Sequence, residues 1–343
     1  MKRIHGGDIY SFNKKLLDFS VNINPLGVPK GVYDTILNNP EVLINYPDTR
    51  CEKLKNALAK KENVSVENII CGNGASEIIF GLAEAVKPKK ALLISPTFSE
   101  YEQALFNSEI VYYNLDEENN FAISSDILDM LKGVDIAFIC NPNNPTGQLT
   151  ESSVLLKMLW VAEKYNVVLV IDECFIDFTS GNNSMVDKIS EYKNLFIIKA
   201  FTKIYSLAGV RLGYGISSNR ELLLNMECHR QPWSVSSIAQ LAGLEALKEK
   251  AFIEDTKAYV LRERVYLFNE MERLNIKAYN SDANFILLKS CLDLYNRLLD
   301  YNILIRHCEN FKGLDKNYYR IAVKAHDENQ MLIKALKTIT EVK

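Results

Sequence analysis

DIAFICNPNNPTG (135–147) and VVLVIDECFIDF (167–178) decide the fold, because each is a short apolar run that ends in a polar turn. Six such runs share this character: NIIC (68–71), ALLIS (91–95), EIVYY (109–113), DIAFIC (135–140), VVLVID (167–172) and LFIIKA (195–200). Between several of them lie segments of helical period, such as SSVLLKMLWVAEKY (152–165). Short apolar strands that alternate with amphipathic helices predict an α/β protein with a mainly parallel sheet covered on both faces.

The organisation of the chain changes after about residue 250. A long charged helical segment (252–274) is followed by the strand-like runs FILLK (285–289), NILIR (302–306) and YYRIAVK (318–324). With 343 residues the chain exceeds the usual size of one hydrophobic core, so we expect two domains. We place a large domain at 30–250 and a smaller α+β domain at 1–29 together with 251–343.

Composition argues against several classes of function. The net charge is −3, from 40 basic and 43 acidic side chains, which gives no sign of a nucleic-acid or membrane-binding surface. We find neither a signal peptide nor an apolar run of about 18 residues, so we expect a cytoplasmic protein. The seven cysteines are scattered, which is typical of reduced thiols, and the four histidines show no metal-site spacing.

Four loops carry the candidate chemistry: CGNGASE (71–77), NPNNPTG (141–147), IDECFIDF (171–178) and KAFTKIYSLAGVRLGYG (199–215). Ligands in parallel α/β sheets bind where such loops leave the strands. Each loop also has a simpler interpretation. A glycine turn before a helix usually serves only as a cap, Asp172 and Glu173 suit an N-cap, and a lone lysine such as Lys203 is usually a solvated charge.

Taken in order, the segments GNGASE, PTFSEYE, NPNNPTG, DECFIDF and TKIYSLAGVRLGY resemble the fold-type I enzymes that depend on pyridoxal 5′-phosphate (PLP), in particular the histidinol-phosphate aminotransferase branch. The resemblance covers nearly the whole chain. It implies the aspartate-aminotransferase-like fold, with a mainly parallel seven-stranded sheet in the large domain and a smaller α+β domain, and it implies PLP as cofactor.

The resemblance also implies roles for individual residues. Lys203 would hold PLP covalently and move a proton, and Asp172 would pair with the ring nitrogen. The other implied cofactor contacts are Ala75, Ser76, Thr202 and Arg211 at the phosphate, Asn144 at the ring oxygen and Phe98 on the ring face. Tyr46 would reach the cofactor phosphate of a neighbouring subunit, which implies a homodimer. Phe175 stands where the family often has a tyrosine, so it departs from the pattern.

Two further regions resemble one branch more closely. HGGD (5–8) with DFSVNINPLG (18–27), and ILIRHCENFKGL (303–314) with YYRIAVK (318–324), are similar to the decarboxylases of cobalamin synthesis that act on L-threonine O-3-phosphate. That resemblance implies release of CO₂ and formation of (R)-1-amino-2-propanol O-2-phosphate. The implied contacts to this small phosphorylated amino acid are His5, Asn24, Arg306, Arg320 and Lys324.

Three alternatives stay open beside this prediction. An aminotransferase for histidinol phosphate or a related amino acid would share the cofactor site but would require 2-oxoglutarate or glutamate. A non-catalytic PLP-binding regulator is disfavoured because Lys203, Asp172 and Arg211 are all present. A plain nucleotide-binding protein would need a GxGxxG motif after the first strand, and the sequence has none there.

Overall fold

Strands and helices alternate along the chain, as the apolar pattern predicts. The computed structural model describes residues 5–341. Its strands are β1 (Leu17–Asp18), β2 (Ile69–Gly72), β3 (Lys90–Ser95), β4 (Glu109–Asn114), β5 (Ile136–Cys140), β6 (Val168–Asp172), β7 (Leu195–Ala200), β8 (Gly213–Ile216), β9 (Lys277–Ala278), β10 (Phe285–Lys289), β11 (Ile303–Leu304), β12 (Arg306–His307) and β13 (Tyr318–Ala322).

The helices cover the sheets and connect successive strands. They are α1 (Lys30–Asn38), α2 (Glu52–Glu62), α3 (Gly74–Val86), α4 (Glu100–Ala104), α5 (Ile127–Met130), α6 (Ser152–Tyr165), α7 (Phe201–Ile204), α8 (Arg220–His229), α9 (Ser237–Ala246), α10 (Lys250–Arg273), α11 (Leu294–Leu299) and α12 (His326–Glu341). Short 3₁₀ turns lie at Pro40–Leu43, Val66–Asn68, Ile176–Phe178 and Val186–Lys188. Among residues 5–341, none of the helices is both long and apolar enough to cross a bilayer.

The largest sheet has seven strands in the order β2-β8-β7-β6-β5-β3-β4. The pairs β3·β4, β3·β5, β5·β6 and β6·β7 are parallel, whereas β8 runs antiparallel to both of its neighbours, β2 and β7. The predicted mainly parallel seven-stranded sheet is therefore confirmed. The seventh strand, GYGI (213–216), was not among the apolar runs of the sequence, because two of its four residues are glycines.

The central strands are buried on both faces. Along β6, Leu169 and Ile171 face one apolar cluster while Val170 faces the other, and Ile139 and Phe138 of β5 divide in the same way. Successive side chains of a strand point to opposite faces, so a strand covered on both sides must be apolar throughout. This burial explains why these runs lack the polar alternation of a half-exposed strand.

The register of the parallel strands brings their carboxyl ends together. Cys140 at the end of β5 is paired with Asp172 at the end of β6, and Asp172 is paired in turn with Ile198 of β7. The loops that follow these strands therefore leave from one edge of the sheet. This is the edge at which ligands bind in open parallel sheets.

A second, antiparallel sheet has the order β12-β13-β10-β9, and β1 near the start of the chain pairs in parallel with β11. The N-terminal segment thus does contact the C-terminal part. The predicted strand NILIR (302–306) is divided, because Ile303–Leu304 pairs with β1 whereas Arg306–His307 pairs with β13. The proposed domain limits at residues 30 and 250 remain a prediction.

Candidate active site

A cavity of about 380 Å³ lies between the carboxyl ends of the parallel strands and the second sheet. It collects residues that are far apart in the sequence. The predicted site residues that line it are His5, Ala75, Ser76, Phe98, Asn144, Asp172, Thr202, Lys203, Arg211, Arg306 and Arg320. The four candidate loops therefore meet in one place.

Lys203 lies on the single-turn helix α7, directly after β7, and its side chain lines the cavity. Within residues 5–341 no hydrogen bond or ion pair reaches its Nζ, and the ring centroid of Phe175 is 5.7 Å away. Burial lowers the pKa of Lys203 to about 8, and the positive charges of Arg320 and Arg211 act in the same direction. An amine that loses its proton so readily is suited to attack a carbonyl group.

Asp172 ends β6 and is buried beside this amine. Its Oδ2 accepts a hydrogen bond from the hydroxyl of Tyr101 at 2.7 Å, and its Oδ1 accepts one from the backbone N–H of Cys174 at 3.0 Å. Burial raises the pKa of Asp172, although the hydrogen bonds from Cys174 and Tyr101 oppose that rise. A buried carboxylate of this kind is stabilised by a cationic partner within the cavity.

A backbone cradle lies opposite, where helix α3 begins. Gly74 has a φ of +80°, and a Cβ atom at this position would overlap the guanidinium of Arg211. A Cβ atom at Gly213 would lie 2.5 Å from the backbone nitrogen of Ala75. The glycines thus let Arg211 and β8 approach the start of α3, where Ala75 and Ser76 line the cavity together with Thr202. N–H groups at a helix start and an arginine together bind phosphate.

The NPNNPTG loop contributes one of its three asparagine side chains to the cavity. Asn144 lines it, and its Oδ1 accepts a hydrogen bond from Nη1 of Arg320. Asn141 and Asn143 instead stabilise the turn, since Oδ1 of Asn141 accepts from the N–H of Thr150 and Nδ2 of Asn143 donates to the carbonyl of Pro96. Of the three amides named by the sequence, only Asn144 is positioned to contact a ligand.

Two buried arginines from the second sheet complete the cavity. Arg320 of β13 donates from Nη2 to the carbonyl of Ser20 at 2.8 Å, and its buried Nε has no hydrogen-bond partner within the described residues. Arg306 of β12 lies over the ring of Phe311 at 5.1 Å and donates to Asn310. Burial lowers the pKa of Arg320 to about 10, so its charge persists near neutral pH. Two buried guanidinium groups favour an anionic ligand.

Three predicted residues lie away from the cavity. The side-chain amide of Asn24 donates to Ile204 O and Thr256 Oγ1, and its Oδ1 accepts from Leu26 N, so the side chain stabilises the turn, and its role in substrate binding remains a prediction. Lys324 lies outside the cavity, with Nζ 3.9 Å from Glu328. Tyr46 is 81% exposed and lies against Trp233, and its role across a subunit interface remains a prediction.

Several cavity residues were missed by the sequence analysis. Asn22 lines the cavity in place of Asn24, and its Oδ1 is buried without a partner within the described residues. Tyr101, Glu100 and Phe311 also line it. Tyr101 and Glu100 lie inside the quoted segment PTFSEYE, so the segment was recognised but its individual side chains were not.

The residues present fit PLP. The cavity offers an amine of lowered pKa for the aldehyde, a buried carboxylate for a ring cation, and the cradle at Gly74 with Arg211 for the phosphate. Phe98, which packs edge-to-face on Tyr101 at 5.6 Å, also lines the cavity and offers an aromatic ring to the cofactor. These assignments of individual residues are taken up as proposals below.

Comparisons with known proteins agree with this geometry. The model of the family "Aminotransferase class I and II" matches residues 14–339. The threonine-phosphate decarboxylase of Salmonella typhimurium strain LT2 is 36% identical over 332 residues, which cover 95% of this chain and 91% of the relative.

Two solved structures are also similar. The histidinol-phosphate aminotransferase of Clostridium acetobutylicum has a TM-score of 0.90 and 35% identity, and the match covers 95% of this chain and 99% of that one. The L-threonine-O-3-phosphate decarboxylase of Porphyromonas gingivalis has a TM-score of 0.85 and 27% identity, with 94% and 99% covered. The predicted fold and the predicted cofactor are both confirmed by these matches. The chain belongs to the class I and II aminotransferase family of PLP-dependent enzymes.

Proposed function

We propose that the protein is a PLP-dependent decarboxylase that converts L-threonine O-3-phosphate to (R)-1-amino-2-propanol O-2-phosphate and CO₂, a reaction of cobalamin synthesis. The observation that carries the proposal is the set of basic side chains in the cavity. Arg306, Arg320 and His5 line it in addition to Arg211, which lies at the cradle for the cofactor phosphate. Three cationic or ionisable groups beyond the cofactor site suit a substrate with both a carboxylate and a phosphate.

The chain's own residues then determine the reaction by orienting the substrate. PLP, when bound, acts as an electron sink for whichever bond to Cα stands perpendicular to its ring. Arg306 and Arg320, with His5, anchor the two anionic groups, and this anchoring turns the Cα–carboxylate bond rather than the Cα–H bond to the perpendicular position. Lys203 would deliver a proton from Nζ to Cα after CO₂ leaves.

Two further contacts belong to the proposal. Asp172, held by Tyr101 and by the Cys174 N–H, lines the cavity, and its carboxylate would stabilise positive charge on the ring nitrogen. The start of α3 at Ala75 and Ser76 would bind the cofactor phosphate together with Thr202 and Arg211. The identity to the Salmonella decarboxylase supports the choice of substrate.

The second candidate function is an aminotransferase for histidinol phosphate or a related amino acid. The specific observation in its favour is the Clostridium acetobutylicum structure, a histidinol-phosphate aminotransferase with a TM-score of 0.90. Such an enzyme would use the same lysine and phosphate cradle. It would differ in needing 2-oxoglutarate or glutamate as the second substrate and in releasing no CO₂.

One experiment separates the two candidates. Purified, PLP-loaded protein is incubated with L-threonine O-3-phosphate in the absence of any 2-oxo acid, and CO₂ and the amine product are measured. Release of CO₂ with one equivalent of aminopropanol phosphate supports the decarboxylase. No CO₂ here, together with glutamate formation from 2-oxoglutarate and histidinol phosphate, would establish the aminotransferase instead.

A further inference from the structure

The main chain that carries Lys203 is a helix of a single turn. α7 spans Phe201–Ile204, and within residues 5–341 no hydrogen bond or ion pair reaches the side-chain Nζ of Lys203. The carbonyl groups in the last turn of a helix lack partners within it, and α7 has only that turn. The position of this amine therefore depends on the contacts that hold the carbonyl groups of the turn.

Asn24 supplies those contacts from the N-terminal part of the chain. Its backbone N–H donates to the carbonyl of Lys203 at 3.1 Å, and its side-chain Nδ2 donates to the carbonyl of Ile204 at 2.6 Å. The carbonyl of Asn24 accepts in return from Oγ of Ser206 at 3.1 Å. One residue thus holds both the turn that carries Lys203 and the chain that follows it.

The amide of Asn24 has only one orientation that satisfies its neighbours. Its Oδ1 accepts from the backbone N–H of Leu26 at 2.9 Å, and Nδ2 donates to Oγ1 of Thr256 at 2.8 Å as well as to Ile204. A backbone N–H donates and a backbone carbonyl accepts, so the positions of the amide nitrogen and oxygen are determined. Asn24 is 4% exposed and Thr256 of α10 is fully buried, so water does not compete for these bonds.

The chain after Lys203 contains a strained residue that Asn24 contacts. Ser206 has a φ of +55°, a left-handed conformation that is unfavourable for a residue with a side chain. Such a conformation persists where the surrounding contacts maintain it. The bond from Ser206 Oγ to the carbonyl of Asn24 is one of these contacts. Without Asn24 the turn can relax, and Lys203 would move with it.

We propose that Asn24 is a positioning residue that holds Lys203 where its Nζ can reach the aldehyde of PLP. In the step concerned, the neutral amine attacks the aldehyde carbon, and the aldehyde oxygen leaves as water. Asn24 does not line the cavity, so it acts on this step through the turn. The proposal rests on the role of Lys203 in the proposed function, and it holds for a decarboxylase and for an aminotransferase alike.

The first test compares capture of PLP with binding of an unreactive analogue in Asn24→Ala. Cofactor-free protein is mixed with PLP, and borohydride reduction followed by peptide mapping gives the amount linked to Lys203 over time. We expect the rate constant of capture to fall roughly tenfold, because an amine that is no longer held in place reacts more slowly. Pyridoxamine 5′-phosphate has no aldehyde and cannot be captured. Its dissociation constant should stay within about twofold, since Asn24 does not contact the phosphate cradle.

Two further variants identify the bond that matters. Asn24→Asp keeps the size of the side chain and the acceptor for Leu26, but it loses the donor to Ile204, so capture should be as slow as in Asn24→Ala. Asn329→Ala is the matched control. Nδ2 of the fully buried Asn329 donates to the carbonyl of Lys324 at 2.8 Å and its Oδ1 accepts from the N–H of Lys324 at 3.1 Å, but these bonds do not involve α7. It should lower the melting temperature without changing the rate of capture.

An unchanged rate of capture in Asn24→Ala overturns the proposal. An equal loss of capture and of pyridoxamine 5′-phosphate affinity does so too, because it would mean that the whole cavity is disturbed. Should Asn24→Ala not fold, Ser206→Ala decides: it removes one contact of Asn24 with the turn and should slow capture roughly threefold, and an unchanged rate there is contrary.

Failure of the proposed function gives a different result. A wild type that links PLP to Lys203 but releases no CO₂ from L-threonine O-3-phosphate contradicts the decarboxylase alone. A wild type that links PLP to another lysine overturns the role of Lys203 and the role of Asn24 together.

Discussion

At the scale of single residues, Lys203 is an amine in surroundings that disfavour its charge. Because burial lowers its pKa to about 8, the reactive neutral form is populated well below the ordinary titration range of lysine. In cofactor-free protein we therefore expect the rate constant for PLP uptake to rise with pH and to level off above about 8. Stopped-flow absorbance of the bound cofactor measures this rate.

The control is Lys203→Ala. After borohydride reduction and denaturation, mass spectrometry should detect no covalently bound PLP on this variant. A rate that continues to rise up to about pH 10.4, the ordinary value for lysine, would show that the cavity does not lower the pKa of Lys203.

Tyr101 carries a second prediction at this scale. Its hydroxyl donates to Oδ2 of Asp172 at 2.7 Å, while its ring stacks on Phe138 at 4.9 Å. Tyr101→Phe keeps the ring but removes a bond that orients the carboxylate and favours its charged form. We expect kcat to fall roughly tenfold. Tyr205→Phe, at another buried tyrosine outside the cavity, should leave kcat unchanged; an equal loss there would mean that the Tyr101 effect is not specific.

The sequence predicted the chemical types at the site better than it predicted the individual contacts. Asp172 ends β6, Lys203 follows β7 and Arg211 lies just before β8, all within the segments that resemble the family, so the family pattern located them. Asn22 and Asn24 are both apolar-flanked asparagines in one turn, and only the path of the chain decides that Asn24 binds Ile204 and Thr256 while Asn22 faces the cavity. A long-range contact of this kind leaves no local signal.

At the scale of elements, Glu117 joins the loop after β4 to the second sheet. Its carboxylate accepts hydrogen bonds from Lys277 at 2.7 Å, Tyr279 at 2.5 Å, Lys289 at 2.8 Å and Tyr318 at 2.6 Å. These donors, Lys277 and Lys289 foremost, hold the pKa of Glu117 well below its usual range. One side chain thereby links β9, β10 and β13 to the large sheet.

We expect Glu117→Gln to reduce the free energy of unfolding by about 1–2 kcal/mol at neutral pH, discounted because the carboxylate is partly exposed. The pKa of Glu117 is lower in the folded than in the unfolded state, so its ionic contacts stabilise the fold above the unfolded-state pKa of about 4.3. This stabilisation is lost as the pH falls below that value. Urea unfolding at several pH values measures the difference.

Glu118→Gln, at the exposed neighbouring carboxylate, serves as the matched control for Glu117. A stability difference between wild type and Glu117→Gln that persisted unchanged into acid would contradict an ionic origin of the link.

Elements with strong local patterns were predictable and the others were not. All six apolar runs form strands, and α6 spans the predicted 152–165. Strand β8 was missed because Gly213 and Gly215 give no strand signal: Gly215 packs against Phe196 and Gly213 against the start of α3, where side chains would not fit. NILIR was predicted as one strand because local pattern cannot show that its two halves pair with different sheets.

At the scale of the whole molecule, an apolar surface remains uncovered around the turn before α2. Leu43, Ile44 and Tyr46 are 67%, 83% and 81% exposed, and Trp233 beside Tyr46 is 48% exposed. Contiguous exposed apolar side chains of this size mark interfaces. Together with the cross-subunit role that the family resemblance implies for Tyr46, this surface predicts a homodimer.

We expect light scattering to give twice the 39.1 kDa mass of the chain for the wild type. Ile44→Asp should shift the protein toward the monomer, because dimerisation would bury the aspartate at the centre of this surface without a partner. If Tyr46 contacts the cofactor phosphate of the other subunit, the monomer must also lose affinity for PLP, by roughly tenfold. Met331→Asp, at an exposed apolar residue of α12, should change neither property. If the Ile44→Asp variant were monomeric and bound PLP as tightly as wild type, dimerisation would not contribute to cofactor binding. That result would contradict the cross-subunit role of Tyr46.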